Sequence, residues 1–425
     1  MNEHSERRPI TDVRRWLIWI VVAVAALALV GLVALWPRGD APDLGRLPNT
    51  FVDATVTAVT EDQCVSGEAD ALTSCQLATV QITSGPDRGQ SGEFLVRAID
   101  FSVPRIESGD RVVLLDVPTS PPPYRYSFSD FQRSTPMWGL VALFVVVVIG
   151  LGRWQGVRAL LGLVVSAAVL VGFVVPSILR DEPAILVAIT GTIVVAFAAL
   201  YLAHGVSMTT TVALTGTLAS LAVTTGLALV AVSLTHLTGL ADEEAQILRV
   251  TADALDVRGL LIAGIVVGAL GVLDDVTVTQ VSTVSALHRA QPDLGRWDLY
   301  REATSVGRDH VASTVNTLVL AYAGAALPLL VLFEQGSKPL GRILTSEVIA
   351  VEIVRMLVGS IGLVLSVPIT TALAAAVVGP DTPLEDAHGH AHGESPSPHD
   401  APPAAAPARP AASWDDFARP DDWLW

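Results

Sequence analysis

The chain has 425 residues, of which 51% are hydrophobic and only 16% are charged, and its mean hydropathy is +0.53. Soluble globular proteins carry about a quarter charged residues, and several apolar runs here exceed the roughly 18 residues that indicate a transmembrane helix. The net charge of −16 is not the basic balance of a nucleic-acid-binding protein, so no nucleic acid is expected as a partner. These values predict a polytopic α-helical membrane protein in contact with the lipid bilayer.

The N-terminal segment, residues 1–15, is polar and is followed by an apolar run over residues 16–36. That run is too long for the apolar core of a typical signal peptide and lacks a small-x-small cleavage site at its end. Trp16, Trp19 and Trp36 bracket it as interfacial anchors do. We therefore expect an uncleaved first transmembrane helix after a cytoplasmic N-terminus.

Residues 37–136 are predicted to form an extracytoplasmic β-domain with a linker. The segments FVDATVTAV, CQLATVQIT, GEFLVRAI and DRVVLLDV alternate apolar and polar residues or are rich in β-branched residues, and turn sequences separate them. Four or five short strands of this kind favour a small, closed, all-β barrel that is OB-like. The PTSPPPYRYSF stretch is expected to be an extended linker to the membrane.

Cys64 and Cys75 are the two cysteines, and both belong to this domain. A disulfide between them is predicted, because disulfides persist outside the cytoplasm. Two unpaired thiols are the alternative.

Seven further spans are predicted, which makes about eight in all within a bundle over residues 137–378. They are 138–151, 157–178, 184–203, 206–235, 260–281, 311–333 and one within 348–378. Arginines cluster between spans two and three and between spans six and seven, which predicts that those loops and both termini are cytoplasmic. The protein is expected in the cell (cytoplasmic) membrane. Helical spacing of Ala245, Leu248, Ala252 and Leu255 indicates an amphipathic helix in an outer loop.

The C-terminal tail, residues 379–425, is rich in proline, alanine and acids and is expected to be disordered. It carries His388, His390 and His392, and clustered imidazoles can bind metal ions. A tail of this kind offers no preformed ligand geometry, so we expect no metal site and no cofactor.

Two polar stripes stand out in spans six and seven. Asp275, Thr279 and Ser282 share one helical face, and Asp309, Ser313 and Asn316 share one face of the next helix. Ionisable groups inside a membrane face a bundle interior or a wet cavity. Our hypothesis is that the stripes face each other and form a substrate or ion site. Asp275 reaching cytoplasmic water and Asp309 stabilising a helix N-terminus are the alternatives.

Two further features accompany the first stripe. Gly264, Gly268 and Gly271 have the small-residue spacing that lets helices approach closely in lipid, so they predict tight packing of span six. Asp274 adjoins Asp275 and must point to a different face. One of the two carboxylates is expected to face a cavity and the other to reach the inner interface.

Enzymatic signatures are missing from the sequence. It contains no P-loop, no H-E-x-x-H and no G-x-S-x-G. Paired intramembrane aspartates can cleave peptides, but GVLDD lacks the G-x-G-D context of such enzymes. We therefore expect no enzyme.

Several motifs together resemble the YibE/F-like family of bacterial multi-pass membrane proteins. These are GALGVLDDV, VGRDH, NTLVLAY and GSIGLVLSVPIT, and the resemblance extends over residues 206–378. The single acid of the family pattern matches Asp275, whereas Asp274 and His310 stand where apolar residues are usual. The resemblance implies a membrane location and a loose expectation of transport, without a substrate.

The leading functional hypothesis is a transporter or permease-like protein for an unknown small solute or ion. Asp275 would take up a cation or proton, and Asn316 would orient the substrate or Asp275. The alternative is an envelope scaffold or assembly factor that binds a protein partner through the β-domain.

Overall fold

The structure is a computed structural model, and it describes residues 10–39, 50–65, 72–97, 105–241, 243–251, 255–334 and 339–377. The C-terminal tail with its histidines lies outside the described residues. The helices are α1 (Ile10–Ala34), α2 (Ser134–Val169), α3 (Val175–Ile178), α4 (Ala184–His204), α5 (Met208–Leu234), α6 (Glu243–Thr251), α7 (Val257–Ala290), α8 (Arg296–Ala325), α9 (Leu327–Glu334), α10 (Leu340–Leu344) and α11 (Glu347–Val377).

The β-domain is a closed barrel of five strands, in agreement with the predicted small barrel. The strands are β1 (Thr50–Val65), β2 (Leu72–Ile82), β3 (Ser91–Arg97), β4 (Arg111–Asp116) and β5 (Tyr126–Phe131), and they follow each other around the barrel in the order β1-β2-β3-β5-β4. Strand β4 lies between β1 and β5. Its side chains alternate, so Val112 and Leu114 point into the core while their neighbours are more exposed.

The segment predicted as a linker is instead part of the barrel. Strand β5 pairs antiparallel with β4 and meets β3 in parallel at Phe94 and Tyr126, so it closes the sheet. Arg125, just before β5, donates from Nε to Asp116 Oδ1 at 3.0 Å and also pairs with Asp87. The prolines, which in the sequence suggest a linker, lie in the turn that leads from β4 into β5.

Cys75 on β2 is buried and disulfide-bonded. Its predicted partner, Cys64, belongs to the neighbouring strand β1, but the Cys64 side chain lies outside the described residues. The pairing of these two cysteines stays a prediction.

Six helical segments among the described residues are long and apolar enough to cross a membrane, where eight were predicted. They are Val13–Ala34, Ser134–Ile178, Ala184–His204, Met208–Leu234, Val257–Ala290 and Glu347–Val377. The number of these segments differs from the predicted number of spans at two places, which have separate physical causes.

The first difference is that predicted spans two and three form one helical segment, Ser134–Ile178. This segment is not straight, because Arg153 has φ 49° and ψ −128°, which no helix tolerates. A Cβ on Gly156 would overlap the backbone of Val148, eight residues earlier, whereas a straight helix would separate the two by about 12 Å. The chain therefore turns back at Arg153, and each arm is about as long as a membrane crossing.

The second difference concerns predicted span seven, residues 311–333, which is not among the six. Helix α8 begins at Arg296, well before the predicted start, and ends at Ala325, where α9 takes over. Residues 296–310, predicted as a loop, therefore form the first part of α8. This part is amphipathic, because its buried residues recur at four-residue intervals: Leu299, Ala303, Gly307 and then Val311.

The bundle is held together where small residues meet hydroxyl side chains on α5 and α11. A Cβ on Gly362 would overlap Thr224, and a Cβ on Gly216 would overlap Thr370, so only glycine permits these helices to approach so closely. Helix α6 forms in the loop between α5 and α7 and contains Ala245 and Leu248 of the predicted amphipathic helix, whereas Leu255 lies beyond its end.

A candidate site in a cavity beside Asp274

Helix α7 is the central element of the bundle. It packs against α4, α5, α8 and α11. Its most apolar 18-residue window is 56% buried, the largest share among the six candidate spans. Polar groups on the covered faces of this helix are therefore surrounded by protein, which is the environment that such groups require in a membrane.

The two adjacent aspartates of α7 have different surroundings. Asp274 is half-buried and lines a cavity, whereas Asp275 is exposed. Successive residues of a helix point about 100° apart, so the two carboxylates cannot serve the same space. The polar stripe and the family pattern both point to Asp275, but the residue that lines the cavity is Asp274.

The cavity has a volume of about 210 Å³ and lies between α2, α4 and α7. Its walls are Ser166, Leu170, Thr192, Val195, Ala199, Val267, Leu270, Gly271 and Asp274. Leu170 begins a π-helical turn, Leu170–Val174, that joins α2 to α3. Turns of this kind widen a helix locally and are frequent at functional sites.

Three polar side chains face an otherwise apolar space. Asp274 contributes a carboxylate, and Thr192 and Ser166 contribute hydroxyls. Ser166 Oγ donates to the Gly162 carbonyl at 2.9 Å and keeps its acceptor capacity. Thr192 is 2% exposed, and its hydroxyl has no hydrogen-bond partner among the described residues. Because buried polar groups are normally paired, this hydroxyl is available to a ligand.

Comparison with known proteins identifies the bundle. Residues 140–380 match the family model described as YibE/F-like protein, which covers more than half of the chain. The chain belongs to the YibE/F-like family. No curated protein and no solved structure matches it. The matched range includes every residue that lines the Asp274 cavity, whereas α1 and the β-barrel precede it.

The two stripes predicted as the site lie elsewhere in this YibE/F-like bundle. Asp275, Thr279 and Ser282 on α7 and Asp309, Ser313 and Asn316 on α8 are all exposed. Where α7 and α8 touch, the contact includes Val276 and Val311, and Gln280 of α7 donates from Nε2 to the Ala303 carbonyl of α8 at 2.7 Å. Among the described residues no hydrogen bond joins one stripe to the other, so nothing in the packing supports the hypothesis that the stripes face each other.

The three glycines on the same face of α7, Gly264, Gly268 and Gly271, also have little or no protein packed against them. A Cβ on Gly264 or Gly271 would meet nothing within 4 Å, and one on Gly268 would meet only the Tyr322 hydroxyl at 3.9 Å. Within the described chain no element packs against Gly264 or Gly271, so tight packing through these glycines stays a prediction. Tight glycine contacts occur instead between α5 and α11.

Sequence analysis missed Ser166 and Thr192. A usable signal was present, because both are polar residues inside apolar runs predicted to span the membrane. The spacing of Val267, Gly271 and Asp274 also marks one face of α7. Tertiary packing decides which helices cover that face, and no periodicity in the sequence predicts which helices those are.

Proposed function

We propose that this YibE/F-like protein is a membrane transporter whose solute or ion occupies the cavity beside Asp274. One observation carries the proposal: a carboxylate in the middle of the central helix lines a cavity, and among the described residues it forms no ion pair with a basic side chain. An arginine of the bundle pairs with a different acid: Arg355 forms an ion pair with Glu352 at 2.8 Å. An unpaired acid at this depth is costly for the fold and is typically retained for an ion or substrate pathway.

The proposal includes the orientation in the membrane. The protein resides in the cytoplasmic membrane, with both termini inside and the β-barrel outside. The asymmetric distribution of arginines between the loops supports this orientation. The buried, disulfide-bonded Cys75 is consistent with a barrel outside the reducing cytoplasm.

Flux through the protein can be tested before the solute is known. Purified protein is placed in liposomes with an inside-negative potential, generated by potassium and valinomycin and followed with a voltage-sensitive dye. Sodium, protons and small ammonium ions are then offered outside in turn. We expect at least one cation to dissipate the potential in wild-type liposomes and not in those containing Asp274→Asn.

The exposed neighbour provides the matched control. Asp275→Asn removes the same charge one residue away and is expected to keep the flux. Equal dissipation by wild type, Asp274→Asn and empty liposomes for every cation would contradict the proposal.

A second candidate function is an envelope scaffold that acts through the β-barrel. The observation in its favour is that Phe51 and Tyr124 on the barrel are 64% and 55% exposed, which provides aromatic contacts for a protein partner. If it is correct, Phe51→Ser abolishes the cellular function while Asp274→Asn preserves it.

A further inference from the structure

The chemistry of the Asp274 cavity defines the class of ligand that fits it. Its polar groups are one carboxylate and the two hydroxyls of Ser166 and Thr192, and each can accept a hydrogen bond. The remaining walls come from leucine, valine, alanine and glycine. Pockets of this composition bind small molecules whose apolar body fills the space while a few polar groups set the orientation.

A bare metal ion does not match this lining. Calcium takes six to eight oxygen ligands, and magnesium requires six in octahedral geometry. Four side-chain oxygens are available, two from the Asp274 carboxylate and one each from Ser166 and Thr192, which is fewer than either ion requires. Among the described residues, no group of three or more histidine, cysteine or acidic side chains could hold a metal ion. The volume of about 210 Å³ also leaves space that an ion alone would not fill.

We propose that the cavity binds a small primary ammonium ion, with Asp274 neutralising its charge and Thr192 and Ser166 accepting its remaining N–H groups. An ammonium group has three donors, and these three side chains supply an acceptor for each. The alkyl part lies against Leu170, Val195 and Leu270, where it is removed from water. The inference rests on the proposed function for its biological purpose, but binding can be measured without transport.

The three-acceptor arrangement has a consequence for selectivity. A quaternary ammonium carries the same charge but has no N–H group, so it would leave the Thr192 hydroxyl unpaired inside the bundle. Buried polar groups left without a partner reduce affinity strongly. The cavity should therefore prefer n-butylammonium to tetramethylammonium, and both to sodium.

Thermal unfolding of the full chain in detergent tests this inference, because a ligand that binds the folded state raises the unfolding midpoint. The probes are n-butylammonium, tetramethylammonium and sodium chlorides at equal ionic strength. We expect n-butylammonium to stabilise wild type saturably and more than the other two salts. Asp275→Asn should respond as wild type does, and Asp274→Asn should lose the response.

A second variant keeps the test valid if Asp274→Asn does not fold. Thr192→Val replaces the hydroxyl by a methyl group of similar size, and we expect it to weaken n-butylammonium binding by about tenfold because a hydrogen bond to a charged group is lost. Equal responses of wild type, Asp274→Asn and Thr192→Val would overturn the inference. An equal or larger response to sodium, or a loss that occurs in Asp275→Asn, would overturn it as well.

The outcomes separate this inference from the proposed function. Asp274-dependent binding of n-butylammonium without any cation flux would leave the inference standing and remove the transporter. Asp274-dependent flux of sodium or protons without n-butylammonium binding would remove the inference and leave the transporter.

Discussion

At the scale of single residues, Arg125 forms two ion pairs that connect parts of the β-barrel. Its guanidinium bonds Asp116, which is 3% exposed, and Asp87 in the turn between β2 and β3. The hydrogen bond to Asp116 raises the pKa of Arg125 further above its ordinary value, so the guanidinium stays charged at every physiological pH. Arg125 thus connects the start of β5 to the end of β4 and to the turn between β2 and β3.

Arg125→Met is expected to destabilise the barrel, because it leaves the buried Asp116 carboxylate without its partner. Removing one member of a buried ion pair costs about 3 kcal/mol. Hydrogen exchange of the full chain should then be about 100-fold faster in peptides from β4 and β5, since 1.4 kcal/mol corresponds to a factor of ten.

The control for this prediction is Arg133→Met. Arg133 pairs with Asp130 in an exposed i, i+3 arrangement, and such surface pairs contribute little. Similar exchange rates in Arg125→Met and Arg133→Met would show that the Asp116 contact does not hold the barrel.

At the scale of helices, the contact between α5 and α11 depends on the absence of side chains. Gly362 lies against Thr224, which is fully buried, and Gly216 lies against Thr370 in the same manner. In a bilayer the apolar surfaces of helices gain little from association, so close backbone approach and van der Waals contact decide which helices pair.

Gly362→Ala is expected to lower the free energy of unfolding by about 2 kcal/mol, because the new methyl group overlaps Thr224 and the helices must separate. Unfolding of the detergent-solubilised chain by increasing sodium dodecyl sulphate measures this change.

The matched control is Gly264→Ala, on the open face of α7. It adds the same methyl group in empty space and removes a helix-weakening glycine, so stability should stay equal or rise slightly. If Gly264→Ala destabilised as much as Gly362→Ala, the open face of α7 would have to be covered by another helix or a second chain.

At the scale of the whole molecule, the number of membrane crossings follows from the reversal at Arg153 and from the path of α8. With an inside N-terminus, two crossings by the Ser134–Ile178 segment place the loop after α7 in the cytoplasm, whereas a single crossing places it outside. Asp293 is exposed in this loop and can report the difference.

We expect Asp293→Cys to be protected from a membrane-impermeant maleimide in intact cells and to react after permeabilisation. Arg88→Cys, exposed on the barrel, should react in intact cells under either arrangement. Cys75 is disulfide-bonded and should not contribute to the labelling. Labelling of Asp293→Cys in intact cells would show that the Ser134–Ile178 segment crosses the membrane only once and would overturn the eight crossings that the sequence predicts.

The sequence by itself determined the membrane class, the β-barrel with four of its five strands, and the amphipathic α6, because these depend on local hydrophobic periods and on composition. It also pointed to the middle of α7, since acids stand out in an apolar span. Only the tertiary structure decided that Asp274 faces a cavity while Asp275 is exposed, and that Ser166 and Thr192 from distant helices share that cavity. It likewise decided that the helices approach at Gly216 and Gly362 and that the proline-rich stretch leads into β5. Each of these depends on which helix or strand covers which face, and that choice comes from the shapes of several elements together and not from the period of any one of them.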